Sequence, residues 1–168
     1  PVSVKLPLLA DVQDRVAARA AAIRDAHPFW PCGEGCDHCC RTLPSLPVVT
    51  LAEREELRRA LSVLSRQERV IVEERIRNAP AVGPLSCPML DEATSGCRVY
   101  DARPVVCRTY GFYTDRDAGL HCHKVTSAVR ENGAEQTVVW GNGEAISRDM
   151  SVLGEARRID ASICIVDP

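Results

Sequence analysis

Cys32-Gly-Glu-Gly-Cys36-Asp-His-Cys39-Cys40 puts four thiols within nine residues. Thiolates this close repel one another unless a bound cation, a cluster or oxidation to disulfide neutralises them. Gly33 and Gly35 allow the backbone to fold tightly enough for the sulfurs to converge. A second set follows in Cys87-Pro-Met-Leu90, in Gly96-Cys97-Arg-Val-Tyr100-Asp-Ala-Arg103-Pro-Val-Val-Cys107-Arg108 and in His121-Cys122-His123. Sulfur is a soft donor, so such sets select zinc, copper(I) or iron-sulfur clusters over magnesium or calcium. The candidate ligands are Cys32, Cys36, Cys39, Cys40, Cys87, Cys97, Cys107 and Cys122, enough for two four-ligand sites or for one site with spare thiols. An extended backbone at the adjacent pair would send Cys39 and Cys40 to opposite sides, so that one serves each site or one only packs. His38, His121 or His123 could replace a thiolate, since imidazole suits zinc and iron.

Four thiolates around Zn²⁺ or a 4Fe-4S core carry about −2 by formal charge, which needs compensation where the site is partly buried. Arg41, Arg98 and Arg108 each follow a cysteine directly and Arg103 lies between two. These arginines are expected to supply that positive charge, because guanidinium is a strong donor to anions. Unequal spacings, an adjacent pair and flanking arginines suit an iron-sulfur cluster, 4Fe-4S, better than a structural zinc ribbon, and Zn²⁺ is the alternative.

The pattern resembles the bacterial YkgJ-type cysteine-cluster proteins, described as candidate zinc- or iron-chelating domains. The resemblance rests on the Cys-x-x-Cys-Cys run at 36, 39 and 40, on Cys-Pro-x-Leu at 87 to 90, and on Gly-Cys-x-x-Tyr-x-x-Arg-Pro-x-x-Cys-Arg from 96 to 108. It covers about residues 32 to 122, and it implies chelation without naming a substrate. At the positions it covers, Arg103-Pro104 is expected to set a turn aiming Cys107 back at Cys97, with Tyr100 and Asp101 as hydrogen-bond partners that orient the ligands. Cys36, Cys39, Cys87, Cys97 and Cys107 are the expected ligands within the matched motifs, and Cys164, between two isoleucines, is expected to be a buried apolar residue.

Two readings from other classes need contexts that the sequence lacks. A thiol-disulfide centre at Cys36-Asp-His-Cys39 requires the pair at a strand-to-helix turn. A Cys122 nucleophile activated by His121 or His123 requires an orienting partner and an oxyanion loop. No motif assigns a reaction, so the expected role of a bound centre is redox, sensing or accessory.

The chain of 168 residues fits one domain and should bury roughly 70% of its unfolded surface. A core of that size makes a secreted disulfide scaffold unnecessary, and nine cysteines is an odd number. The first residues carry no apolar leader, and no run approaches a membrane span, so a cytoplasmic protein is expected. A formal net charge of −2 and 4% aromatics give neither a field nor a stacking surface for nucleic acid. Metal ions are the expected partners, with no nucleic acid and no membrane, and a protein partner is open.

The positioning elements follow from periodicity. Leu9, Val12, Val16, Ala20 and Ile23 recur at helical spacing, so residues 8–26 read as an amphipathic helix ended by Pro28 and Pro31. Phe29 and Trp30 should form an apolar wall beside the cysteine loop, with Trp30 simply in the core. Thr50-Leu-Ala-Glu53 and Ser65-Arg-Gln-Glu68 are capping boxes that open two helices of a hairpin over 51–78. The Glu- and Arg-rich outer face of that hairpin reads as solvated surface. Beyond the chelating region, 32–123, a short helix should stop at Asn132-Gly133, Thr137 to Trp140 should be a strand followed by a turn at Gly141-Asn-Gly143, a last helix should carry Ile146 and Met150, and Ser162 to Val166 should be a short strand. The expected fold is mainly α, with irregular cysteine-rich loops gathered at one side and a few short strands.

Overall fold

The periodicity of residues 8–26 becomes helix α1, Leu9–Ala26, in the computed structural model, which describes residues 8–116 and 122–165. The described elements are α1, α2 (His38–Arg41), β1 (Val48–Thr50), α3 (Leu51–Ser62), α4 (Arg66–Arg77), β2 (Leu90–Asp91), β3 (Gly96–Cys97), α5 (Val105–Thr109), β4 (Tyr113–Thr114), α6 (His123–Glu131), β5 (Gly141–Asn142), α7 (Gly143–Ser151) and β6 (Ala156–Arg158). The fold is mainly α, as expected, with strands of two or three residues. No described helix is long and apolar enough to cross a membrane.

The backbone falls into two compact units, one formed by the chain up to Cys32 together with Val105–Glu155, the other by Gly33–Pro104 and the chain from Ala156. In the first, α1 buries Leu9, Val12 and Val16 with Val105 of α5 and Ile146 of α7. Its other end adds Ala20 and Ile23 to Trp30, Phe112, Val125, Val129 and Val138. Burying each such side chain is worth roughly 1.5–3 kcal/mol, so packing and not helix propensity holds these elements.

In the second unit both expected capping boxes form. The Thr50 Oγ1 accepts from the Glu53 N–H at 3.3 Å while Glu53 Oε2 accepts from the Thr50 N–H at 2.8 Å. Ser65 and Glu68 repeat the exchange at 3.2 and 3.0 Å. Leu57 and Leu61 from α3 and Val72 and Ile76 from α4 then pack with Val49, Leu85, Met89, Leu90, Ile159 and Ile163. Strand β6 pairs antiparallel with β1, placing Val49 opposite Arg157.

Several expectations fail locally. Residues 162–164 are not extended: Ala161–Cys164 forms a 3-10 turn, capped by Asp160, that buries Ile163 and Cys164. Val166 lies outside the described residues. Thr137 to Trp140 is irregular, and the strand falls one step later at Gly141–Asn142, parallel to β4. A Cβ at Gly141 would overlap the Tyr113 ring, so only glycine lets the two backbones meet. The expected turn at 141–143 is instead a helix start, because Asn142 Oδ1 accepts from the Ala145 N–H at 3.0 Å. The outer face of the α3–α4 hairpin is not all solvated surface. Arg54 donates to both oxygens of Asp160 at 2.8 and 2.9 Å, and Arg75 donates to the Leu90 carbonyl at 2.7 Å.

Candidate metal centre

In the second unit Cys39 and Cys40 lie on α2, a single helical turn closed by the Arg41 N–H to the Asp37 carbonyl at 3.0 Å. The backbone at the adjacent pair is therefore helical, and the condition for opposed side chains is not met. Successive side chains on a helix are about 100° apart rather than opposed, so both sulfurs stay on neighbouring faces. The Cys39 and Cys40 thiols are close enough to perturb each other, and Cys87 likewise perturbs Cys40. Cys87 is delivered by an antiparallel bridge between Leu43 and Leu85, and its N–H donates to the Cys40 carbonyl at 2.6 Å. Cys97 arrives on the β2–β3 hairpin, paired with Leu90, and its charge is felt by Cys40. Three separate segments thus bring Cys39, Cys40, Cys87 and Cys97 into one neighbourhood of the second unit.

Burial and crowding govern these thiols. Hydrogen bonding to Cys40, then burial, pushes the Cys39 thiol far up. For Cys40 the hydrogen bond with Cys39 works downward, but the bond to Cys87, burial and the charges of Cys87 and Cys97 together raise it to about 12. Burial is the main reason that Cys97 is raised, and Arg103 opposes it. Burial and crowding therefore favour the neutral thiol at Cys39, Cys40 and Cys97, and a bound cation would offset the repulsion between thiolates. Among the described residues no three His, Cys, Asp or Glu side chains are already converged as a metal-holding group. The donor chemistry fits a soft metal, and the thiol set would tighten on binding it.

The arginines divide. Arg103 lies with its guanidinium 3.5 Å from the centroid of the Tyr100 ring, its Nε donates to the Tyr100 carbonyl at 2.9 Å, and its charge favours the thiolates of Cys39 and Cys97. Arg98 departs from the expected role. It binds Glu68 at 2.9 Å and Asp91 at 3.3 Å, tying α4 to the hairpin that carries Cys97. Sequence reasoning missed this use of Glu68, whose Oε2 serves the cap while Oε1 takes Arg98. No local signal marks a partner 30 residues away. Arg41 pairs with Asp37 at 2.6 Å. Asp101 is exposed, and Cys36 is half-buried in a turn closed by its N–H to the Gly33 carbonyl at 3.1 Å.

The first unit holds Cys32, Cys107 and Cys122. The Cys32 thiol donates to the Tyr110 carbonyl at 3.5 Å, and its Sγ would lie 3.1 Å from a Cβ at Gly111, whose φ of +83° also calls for glycine. Cys122 is 3% exposed, packed with Trp30, Phe112 and Val125 at the start of α6. Trp30 is core, as expected, stacked on Phe112 at 6.0 Å. Cys107 and Arg108 are half-buried on α5, His123 is exposed at the first position of α6, and His38 is half-buried at the first position of α2. His121 lies outside the described residues. No described strand precedes Cys36, so the strand-to-helix setting of a thiol-disulfide centre is not found there. None of the nine cysteines is in a disulfide, and Cys164 is buried in the core as expected.

A family model described as "CxxCxxCC: Putative zinc- or iron-chelating domain" matches residues 31–135, the stretch that holds every motif cysteine. No curated protein and no solved structure matches the chain.

Proposed function

Because the chain belongs to the CxxCxxCC family, described as a zinc- or iron-chelating domain, we propose that it is a metal-binding protein whose thiolates hold an iron-sulfur cluster in a redox, sensing or accessory role. The observation that carries this reading is the sulfur set of Cys39, Cys40, Cys87 and Cys97, delivered by three chain segments and near enough for their thiols to perturb one another. These four residues would hold the centre. Its bound metal would supply the positive charge that lets buried sulfurs lose their protons. Cys36 in the same unit, and Cys32, Cys107 and Cys122 in the other, are the further candidate ligands. Arg103, whose guanidinium lies over the Tyr100 ring, exerts a charge that favours the thiolates of Cys39 and Cys97, and a site of about −2 formal charge needs such a cation.

Anaerobic purification followed by iron, zinc and acid-labile sulfide analysis and a visible spectrum tests the proposal. Matched iron and sulfide with a visible band bleached by reductant supports the cluster. Zinc without sulfide or colour replaces the cluster by a thiolate zinc site, and a chain that takes up neither metal overturns the reading.

A further inference from the structure

The first unit contains an open cavity of about 270 Å³, lined by Thr114, Thr126, Val129, Arg130, Glu135 and Trp140. Helix α6 supplies one wall, because Thr126, Val129 and Arg130 stand three and four residues apart on one face. Strand β4 supplies Thr114. Its parallel pairing with Gly141–Asn142, together with the Gly141 N–H donating to the Phe112 carbonyl at 3.0 Å, fixes the backbone that carries Trp140. The Trp30 ring packs against the Trp140 indole at 5.4 Å. Glu135 sits on the segment after α6, which is tied down by the Ala134 N–H to the Val129 carbonyl at 2.9 Å and by the Val138 N–H to the Ala134 carbonyl at 3.2 Å. Backbone bonds thus hold every wall, and the cavity is formed without an occupant, as small-molecule sites usually are.

Arg130 and Glu135 bring opposite charges to this one lining, yet among the described residues neither charged group has a hydrogen-bond or ion-pair partner. A ligand of one sign would meet attraction from one of them and repulsion from the other, whereas a molecule carrying both signs satisfies both. The Thr126 hydroxyl donates to the Cys122 carbonyl at 3.1 Å, so its oxygen is left to accept, which suits an ammonium. Half-buried Trp140 and buried Val129 add an apolar wall. The volume lies just below the roughly 300–1,000 Å³ typical of sites for drug-sized ligands, which calls for a smaller molecule. We propose that this cavity binds a free α-amino acid with an apolar side chain. Arg130 takes the carboxylate with its planar fork, Glu135 and Thr126 accept from the ammonium, and the side chain rests on Trp140 and Val129. The site uses no cysteine and stands or falls independently of the metal reading.

The test titrates the full chain, purified anaerobically, with L-leucine, L-methionine and L-phenylalanine, followed by calorimetry and by tryptophan fluorescence. At least one should bind saturably with a Kd of about 1 mM or below, within reach of a molecule this small. For L-leucine, two analogues separate the charges. Leucinamide, which lacks the carboxylate, and 4-methylpentanoate, which lacks the ammonium, should each bind about 5- to 10-fold more weakly, a loss between those of exposed and desolvated ion pairs. Arg130→Gln and Glu135→Gln, both at exposed positions, should each weaken L-leucine by a similar factor. Arg130→Gln should weaken leucinamide no further, and Glu135→Gln should weaken 4-methylpentanoate no further, since each variant removes the partner of a group that the analogue lacks. No saturable binding of the three amino acids up to about 10 mM, equal affinities for L-leucine and its two analogues, or native affinity in either variant would each overturn the inference and leave the metal reading in place. If one variant fails to fold, as judged by far-UV circular dichroism, the other variant with its analogue decides the question.

Discussion

At the scale of single residues, the same thiol chemistry yields two kinds of cysteine. Cys97 lies on a short hairpin beside other sulfurs and a guanidinium, whereas Cys164 sits among Leu57, Ile76 and Ile163 in the core. Metal bound per chain should fall sharply in Cys97→Ser and stay at the native level in Cys164→Ala, measured by atomic emission after anaerobic purification. Full metal retention by Cys97→Ser would remove that residue from the proposed ligand set. Burial raises the Cys164 thiol to about 11. The thiolate is the reactive form, so alkylation of Cys164 in the folded protein should stay slow through neutral pH and accelerate only as pH approaches 11. Mass-spectrometric mapping of iodoacetamide adducts against pH checks this, and rapid labelling at pH 8 would contradict the buried placement.

Among the elements, helices with a sustained apolar stripe or a capping box were legible, because both signals are local. Leu9, Val12, Val16, Ala20 and Ile23 are all buried on α1, and Thr50 and Ser65 both cap as their spacing to Glu53 and Glu68 predicts. Thr50→Ala should therefore cost about 1 kcal/mol of stability in urea unfolding. What stayed illegible is short or non-local. Ala156–Arg158 is exposed at every position, so no alternation marks it as a strand, and its partner lies more than 100 residues earlier. Helix α2 spans four residues, too few for a period to register around Cys39 and Cys40. Glycine signals were read as turns where they serve close approach. Gly141→Ala should drive its Cβ into the Tyr113 ring and destabilise the protein by about 1–3 kcal/mol, an overpacking effect that thermal unfolding would report. Unchanged stability would show that the ring swings aside freely.

For the whole molecule, the four-thiol set depends on segments with little regular structure of their own, while α3 and α4 rest on a packed apolar core. Metal removal should therefore raise amide exchange around Leu43, Leu85, Cys87 and Arg98, whose backbone bonds frame the sulfurs, well before it affects α3 and α4. Unchanged exchange at those amides after complete chelation would refute the dependence. The alternation of the two units along the chain bears on synthesis. The chain writes part of the first unit, then Gly33–Pro104, then returns to the first, and only from Ala156 supplies β6 and Ile163 to the second. At a ribosomal pace of about 5–20 residues per second, Cys97 leaves several seconds before Ile163 does. During that interval the thiols of Cys39, Cys40, Cys87 and Cys97 exist without the residues that later complete their unit's core.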